Sequence, residues 1–139
     1  MADKKDKNSV KNNSTKSNPM REVFIEKVTV NMGVGGPGDH LESAKKLLID
    51  LTGKKPEETR AKKRNPVFKI RKGLPLGARV TLRGDGALDF LKKALQSKKN
   101  HLLERNFDKQ GNFAFGIKEY IDFPGAKYDP SMGMVGFDV

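Results

Sequence analysis

The sequence predicts a mixed domain of short strands and two amphipathic helices, preceded by a polar N-terminal tail. Apolar and polar residues alternate in several segments, which is the pattern of strands that bury one face. In two further segments the apolar residues recur at helical spacing. With 139 residues, the chain has the length of one domain with a core of moderate size.

The tail comprises residues 1–18. It contains five lysines, two aspartates and, after Met1, a single large aliphatic residue, Val10. Such a segment buries too little apolar surface to offset the entropy lost on ordering it. We therefore expect residues 1–18 to be a disordered basic tail that either lies along a polyanion or only keeps the protein soluble. Residues 19–139 are expected to form a single domain.

The first strand is predicted over residues 23–32. Two valines and Met32 fall on one face, whereas Lys27, Thr29 and Asn31 fall on the other. An ordinary amphipathic sheet shows the same division, but its polar face usually mixes glutamate with lysine.

A glycine-rich segment, Gly33 to Gly38, follows this strand and matches the G-x-G-x-x-G pattern of dinucleotide-binding loops. It raises the alternative of a nucleotide-binding enzyme. However, Pro37 lacks the amide that a phosphate cradle would use, and no buried apolar strand follows the next helix. The simpler interpretation is a flexible connection between a strand and a helix.

Two helices are predicted from their apolar stripes and end signals. Asp39 can cap the first helix, Glu42 can complete a capping box, and Gly53 can end the helix. Asp85 can cap the second helix, whose lysines, including Lys98, are expected to face solvent.

Residues 68–84 are predicted to form a hairpin around a turn at residues 73–77. One face of this hairpin is apolar, and the Leu74-Pro75-Leu76 part of the turn has no assigned role. The other face has almost no carboxylate and indicates a polyanionic ligand. Its polar residues are Lys69, Arg71, Arg79, Thr81 and Arg83.

A basic loop, residues 59–66, precedes the hairpin. It has four cations and no acid, and it is too polar for a core and too short for a stable helix. We expect it to be exposed and to contact phosphates. Its cations are Arg60, Lys62, Lys63 and Arg64.

Alternation returns at residues 113–117 and 135–139, where the apolar residues are expected to pack in the core. Asp138 points away from that core face. The second of these strand patterns is not followed by a turn or a polar tail. This indicates a shortened version of a longer protein.

Composition favours nucleic acid as the partner and argues against an enzyme. Lys and Arg outnumber Asp and Glu by 28 to 17, which gives a net charge of +11. Without cysteine there is no disulfide, thiolate metal site or thiol catalysis. The two histidines, His40 and His101, have no partner at ligand spacing, and no nucleophile motif is present. We expect no cofactor, no metal and no membrane association.

Several motifs, in order, resemble the large-subunit ribosomal protein L5 family, in its archaeal and eukaryotic branch. The resemblance covers residues 19–139. The motifs are KVTVNMGVG at 27–35, LTG within 51–56, TRAKKRNPVFKIRKGLPLGARVTLRG at 59–84, FDKQGNFAFGIKEYIDFP at 107–124 and YDPSMGMVGFDV at 128–139.

The resemblance implies an α+β fold, with an antiparallel sheet, helices on one face and RNA on the other. It implies a cytoplasmic structural constituent of the large ribosomal subunit that binds 5S rRNA in the central protuberance and contacts the P-site tRNA. Large-subunit rRNA, neighbouring ribosomal proteins and the small-subunit head are further implied partners. The family also continues past residue 139 with another strand and a terminal helix.

The resemblance also implies roles for single residues. Asp138 is expected to support the network of RNA contacts. Residues 59–66 match the loop that approaches the P-site tRNA, through Arg60, Lys62, Lys63 and Arg64. The 5S rRNA contacts that the resemblance implies are Asn31, Lys54, Thr81 and Arg83. Lys27 and Arg79 are added because their positive charge suits phosphate.

Overall fold

A computed structural model describes residues 18–139, so the predicted tail lies outside the described residues except for Asn18. This part of the chain forms two helices, a five-stranded antiparallel sheet and three short 3-10 turns, which confirms the predicted α+β fold class. In chain order the elements are β1 (Val28–Gly33), α1 (Asp39–Thr52), β2 (Glu57–Arg60), β3 (Pro75–Leu82), α2 (Asp85–Ser97), β4 (Gly116–Ile117) and β5 (Phe137–Asp138).

The strands lie in the order β2-β3-β1-β5-β4, so β1 occupies the centre of the sheet. The longest ladder joins β1 to β3, from Val28 opposite Leu82 to Gly33 opposite Gly77. β5 joins β1 through the pair Asn31 and Asp138, and β4 then pairs with β5. The register therefore brings together residues that are far apart in the sequence.

The core lies between one face of the sheet and the two helices. Val28, Val30 and Met32 of β1 are buried, as the alternation predicts. α1 packs on β3 and α2 packs on β1, and their apolar stripes join the same cluster of buried residues. Within the described residues, both helices cover this one face.

The helix interiors agree with the predictions, but the starts do not. Gly53 ends α1 with a φ of 70°, a left-handed conformation that glycine adopts without strain. The N-cap positions are Gly38 and Gly84, and neither helix has a capping hydrogen bond from a side chain. The predicted caps by Asp39 and Asp85 are therefore wrong, because each aspartate is already the first helical residue.

The predicted hairpin at residues 68–84 is also wrong. Only its second half is a strand, and this strand, β3, begins at Pro75 and pairs with β1 and β2. Phe68 is 71% exposed, and Lys69 and Arg71 belong to the loop before β3. The alternation at residues 68–71 resembled a strand, but no neighbouring strand pairs with it along its length.

Three other predicted strands are shorter than expected. β1 begins at Val28, and residues 23–27 are not part of the sheet. The pattern at residues 135–139 forms strand only at β5. The pattern at residues 113–117 forms strand only at β4, although Phe115 exchanges two backbone hydrogen bonds with Val139, at 3.0 and 2.9 Å.

An ion pair connects α1 to β2 on the helix side of the sheet. The Nζ of Lys45 donates to Glu58 at 2.5 Å and to Glu42 at 2.9 Å. The hydrogen bond from Lys45 lowers the pKa of Glu58 from its ordinary value of 4.5. The same bond, with that to Glu42, raises the pKa of Lys45 above 10.5.

We expect Glu58→Gln to destabilise the protein at neutral pH but not in strong acid. A carboxyl with a lowered pKa stabilises the fold above its unfolded value of 4.5 and loses that contribution as the pH falls through the lower folded value. Urea unfolding of the wild type and the variant at neutral and at acidic pH measures the difference. Glu26→Gln is the matched control, because Glu26 makes no ion pair within residues 18–139. An equal difference at both pH values would contradict the role of this ion pair.

Candidate nucleic-acid interface

The face of the sheet opposite the helices carries polar side chains from all three longer strands. On β1 and β3, Thr29 lies opposite Thr81 and Asn31 lies opposite Arg79. Both threonines and Arg79 are exposed, and Asn31 is half-buried. Because the helices cover the apolar face, this polar face can receive a large ligand without any rearrangement of the core.

The central row of this face crosses all five strands. The backbone register places Glu57, Arg79, Asn31, Asp138 and Gly116 side by side. Three of the five belong to the predicted site, Arg79, Asn31 and Asp138, and the register thus joins residues that come from three separate motifs.

The row also contains a carboxylate that sequence reasoning missed. Glu57 lies on β2, and its Oε2 accepts hydrogen bonds from Nε and Nη2 of Arg79, both at 3.1 Å. The expectation that this face has almost no carboxylate is therefore wrong. The segment containing Glu57 has no apolar alternation, so no sequence signal marked it as a strand.

Several predicted contact groups on this face have no polar partner within residues 18–139. The side chains of Asn31, Thr81, Arg83 and Lys27 form no hydrogen bond or ion pair there, and the same is true of the Asp138 carboxylate. Continuing the β1–β3 register by one residue places Lys27 opposite Arg83, next to the pair of Thr29 and Thr81 on the same face. These groups can therefore bond to a ligand without first breaking bonds within the protein.

Beside Asn31 and Asp138 lies an open depression of about 500 Å³. Two lysines that were not predicted as contacts, Lys98 and Lys118, also line it. Lys98 is the C-cap residue of α2, and it was expected only to face solvent. No local pattern indicates that the end of α2 comes close to the centre of β1, so these lysines could not be placed there. A Cβ on Gly116 would lie 3.1 Å from Oδ1 of Asp138, a tight contact at the edge of this depression.

Between β2 and β3 the chain forms a projecting loop, residues 61–74, which we call the basic arm. Its base is closed by hydrogen bonds from the amide of Ala61 to Leu74 at 2.9 Å and from the amide of Gly73 to Ala61 at 2.8 Å. Lys62, Lys63 and Arg64 are exposed along the arm, as predicted.

Two predicted contact residues lie away from these surfaces. Arg60 is the last residue of β2 rather than a loop residue, and its Nη2 lies 3.6 Å from Oε2 of Glu58. Its place in the predicted loop is therefore wrong, because β2 extends to include it. Lys54 is exposed in the connection between α1 and β2, outside the strands.

The nucleotide-binding alternative is not supported by the geometry of the Gly33 to Gly38 segment. The amides of Val34 and Gly35 donate to the carbonyl of Leu76 at 2.9 and 3.0 Å, so they do not point into a phosphate cradle. The sheet is antiparallel, whereas a dinucleotide fold is built on parallel strands. Within residues 18–139 there is no group of side chains suited to hold a metal ion, and no helix there could span a membrane.

Comparison with known proteins decides the family. Residues 18–71 match the family described as Ribosomal protein L5, and residues 75–139 match the model of the C-terminus of the same ribosomal family. The chain belongs to the ribosomal protein L5 family.

Individual relatives agree with this assignment. The large ribosomal subunit protein uL5 of Methanococcus aeolicus is 53% identical over 124 residues, which are 87% of this chain and 68% of the relative. The uL5 protein of Pyrobaculum aerophilum is 52% identical over 89% of this chain and 69% of its own length. The uL5 protein of Thermoplasma volcanium is 53% identical over 88% of this chain and 72% of its own length.

L5 membership confirms the archaeal-type resemblance and the prediction that the chain is not an enzyme, because L5 proteins are structural proteins of the ribosome. The predicted role as a structural constituent of the large ribosomal subunit, in association with rRNA, also follows from this membership. It also excludes the nucleotide-binding enzyme as the interpretation of the glycine-rich segment.

Proposed function

We propose that this L5 protein binds 5S rRNA through the polar face of its sheet and contacts the P-site tRNA through its basic arm. The observation that carries the proposal is the uncovered polar face, on which Asn31, Thr81, Arg83 and Lys27 have no partner within residues 18–139. Residues 19–139 then act as one RNA-binding domain in the central protuberance, close to neighbouring ribosomal proteins and the small-subunit head.

Two kinds of interaction contribute to RNA binding: charge neutralisation and hydrogen bonding. Lys27, Arg79 and Arg83 neutralise phosphates on this face, and Lys54, in the connection between α1 and β2, adds a separate contact outside it. This part of the affinity falls steeply with salt. Asn31 and Thr81 donate and accept hydrogen bonds, so they can distinguish 2′-hydroxyls and base edges. β1 and β3 hold Asn31, Arg79 and Thr81 in place before binding, so little ordering cost is added for these residues.

Asp138 is the one proposed site residue whose charge repels phosphate. It lies next to Asn31 in the register and shares the depression with Lys98 and Lys118. Its oxygens can accept hydrogen bonds from 2′-hydroxyls or base amino groups, and the two lysines can neutralise nearby phosphates. In this way Asp138 supports the RNA contacts made by Asn31.

A gel shift with labelled 5S rRNA tests the proposal. Unlabelled 5S rRNA, tRNA and an unrelated hairpin RNA serve as competitors, and the assay is repeated at several salt concentrations. We expect 5S rRNA to be preferred over the hairpin at every salt concentration, with the affinity falling as salt rises. Equal competition by all three RNAs would indicate a general RNA-binding module instead.

We expect Glu57→Gln to tighten 5S rRNA binding by about two- to five-fold at low salt, because it frees Arg79 from an exposed ion pair worth up to about 1 kcal/mol and removes a negative charge from the face. Glu58→Gln is the matched control, since it changes the net charge equally but alters the opposite face of β2. The two affinities are compared by the same gel shift. Tightening by Glu58→Gln alone would contradict the proposed location of the RNA.

A further inference from the structure

The tip of the basic arm, residues 65–70, exposes two large apolar side chains. Val67 is 84% exposed and Phe68 is 71% exposed. By contrast, Phe90, Phe115 and Phe137 are each at most 6% exposed. Phe68 thus has no role in the core, although apolar exposure of this size at a loop tip is costly in water.

The tip is held in one conformation by its own backbone. Asn65 and Ile70 exchange two hydrogen bonds, both 2.9 Å long, and the amide of Lys69 donates to the carbonyl of Pro66 at 3.2 Å. Oδ1 of Asn65 accepts from the amide of Val67 at 3.1 Å. These bonds fix the backbone of the turn that carries Phe68 at the tip of the arm.

The charges around the tip identify the class of partner. The arm contains six cations and no carboxylate, and none of the ion pairs among residues 18–139 involves them. These cations flank Phe68 on both sides, as Lys62, Lys63 and Arg64 before it and Lys69, Arg71 and Lys72 after it. An RNA strand presents the complementary arrangement, a flat base between two phosphates.

We propose that Phe68 is a stacking contact, which packs its ring on an exposed base or terminal base pair of the RNA that the basic arm binds. This inference rests on the proposed role of the arm and adds a second kind of contact to it. The flanking cations supply the salt-dependent part of the affinity, and the ring supplies a part that is independent of salt.

The test measures binding of the full chain to a fluorescently labelled tRNA transcript by anisotropy, at several salt concentrations. We expect Phe68→Ala to weaken binding about 5- to 100-fold, the range for loss of one stacked base, without changing the slope against salt. Phe68→Tyr should retain binding, and Phe68→Leu should lose most of it. The double variant Lys62→Ala, Lys63→Ala should instead reduce the salt slope.

Phe24→Ala is the matched control, because Phe24 is 78% exposed but lies outside the arm. It should leave tRNA binding unchanged.

If Phe68→Ala also has no effect while the lysine double variant weakens binding, stacking is wrong and the basic arm keeps its proposed role. If neither changes binding, the arm does not contact tRNA, and both the stacking and the proposed role of the arm are wrong. Equal binding by Phe68→Leu and Phe68→Tyr would also overturn stacking.

Discussion

Asn31→Ala is expected to weaken 5S rRNA binding by about 1–3 kcal/mol, or roughly 5- to 150-fold. The Asn31 amide lies at the centre of the row that crosses the sheet, between Arg79 and Asp138. The side chain of Asn31 forms no hydrogen bond within residues 18–139, so the effect of removing its amide group falls on the complex. An RNA bound over this row would be left with unpaired polar groups that water cannot reach.

The other central residue of this face, Thr81, allows a more exact test of the same effect. Thr81→Val keeps the shape of the side chain and removes only the hydroxyl, whereas Thr81→Ser keeps the hydroxyl. We expect the valine variant to lose affinity on the same scale as Asn31→Ala and the serine variant to retain most of it. Gel shifts at one salt concentration give the comparison, and circular dichroism checks that each variant is folded.

Lys62→Ala is the control for both substitutions. Lys62 lies on the basic arm, away from the polar face of β1 and β3. Its removal should therefore barely change the affinity for 5S rRNA. Equal losses for Lys62→Ala and Asn31→Ala would show that the sheet face and the arm do not bind different RNAs.

The second large effect is on stability. We expect Gly77→Ala to lower the free energy of unfolding by about 1–3 kcal/mol, the range for overpacking. A Cβ on Gly77 would collide with the carbonyl oxygen of Met32 and lie 3.0 Å from Cα of Gly33. Both are backbone atoms of the central strand, so relief requires movement of the β1–β3 ladder itself.

Gly33→Ala is the matched control for this change. Gly33 is the cross-strand partner of Gly77, yet a Cβ on it would meet no atom within 4 Å. Its effect on stability should stay within about 0.5 kcal/mol, as for most surface substitutions. Urea unfolding of both variants measures the difference, and similar losses for the two would contradict the collision.

Periodic patterns in the sequence predicted α1 and the buried face of β1. α1 shows its apolar stripe and ends at Gly53, and β1 shows its alternation in full. β2 could not be predicted, because its residues have no apolar periodicity and pair only through the edge of β3. The false strand at residues 68–71 has the opposite cause, a good local pattern without a partner strand.

The candidate site follows the same division. Asn31, Thr81 and Arg83 were identified as residue types on polar faces, but their neighbours depend on the register of strands far apart in the chain. Glu57 and Lys98 became visible only when that register was known. Sequence alone therefore identified residue types that suit RNA contacts but not their arrangement.

The position of β5 has a consequence for how this face is completed. Residues 137–138 insert between β1 and β4, and β5 meets β1 through the single pair of Asn31 and Asp138. One residue pair closes this long loop, whereas six pairs join β1 to β3, so β5 is held to β1 by fewer contacts. An RNA that binds Asn31 and Asp138 together would hold this short strand against β1 and so would stabilise the sheet at this point. The backbone amides of β5 should then exchange their hydrogens more slowly in the complex than in the free protein.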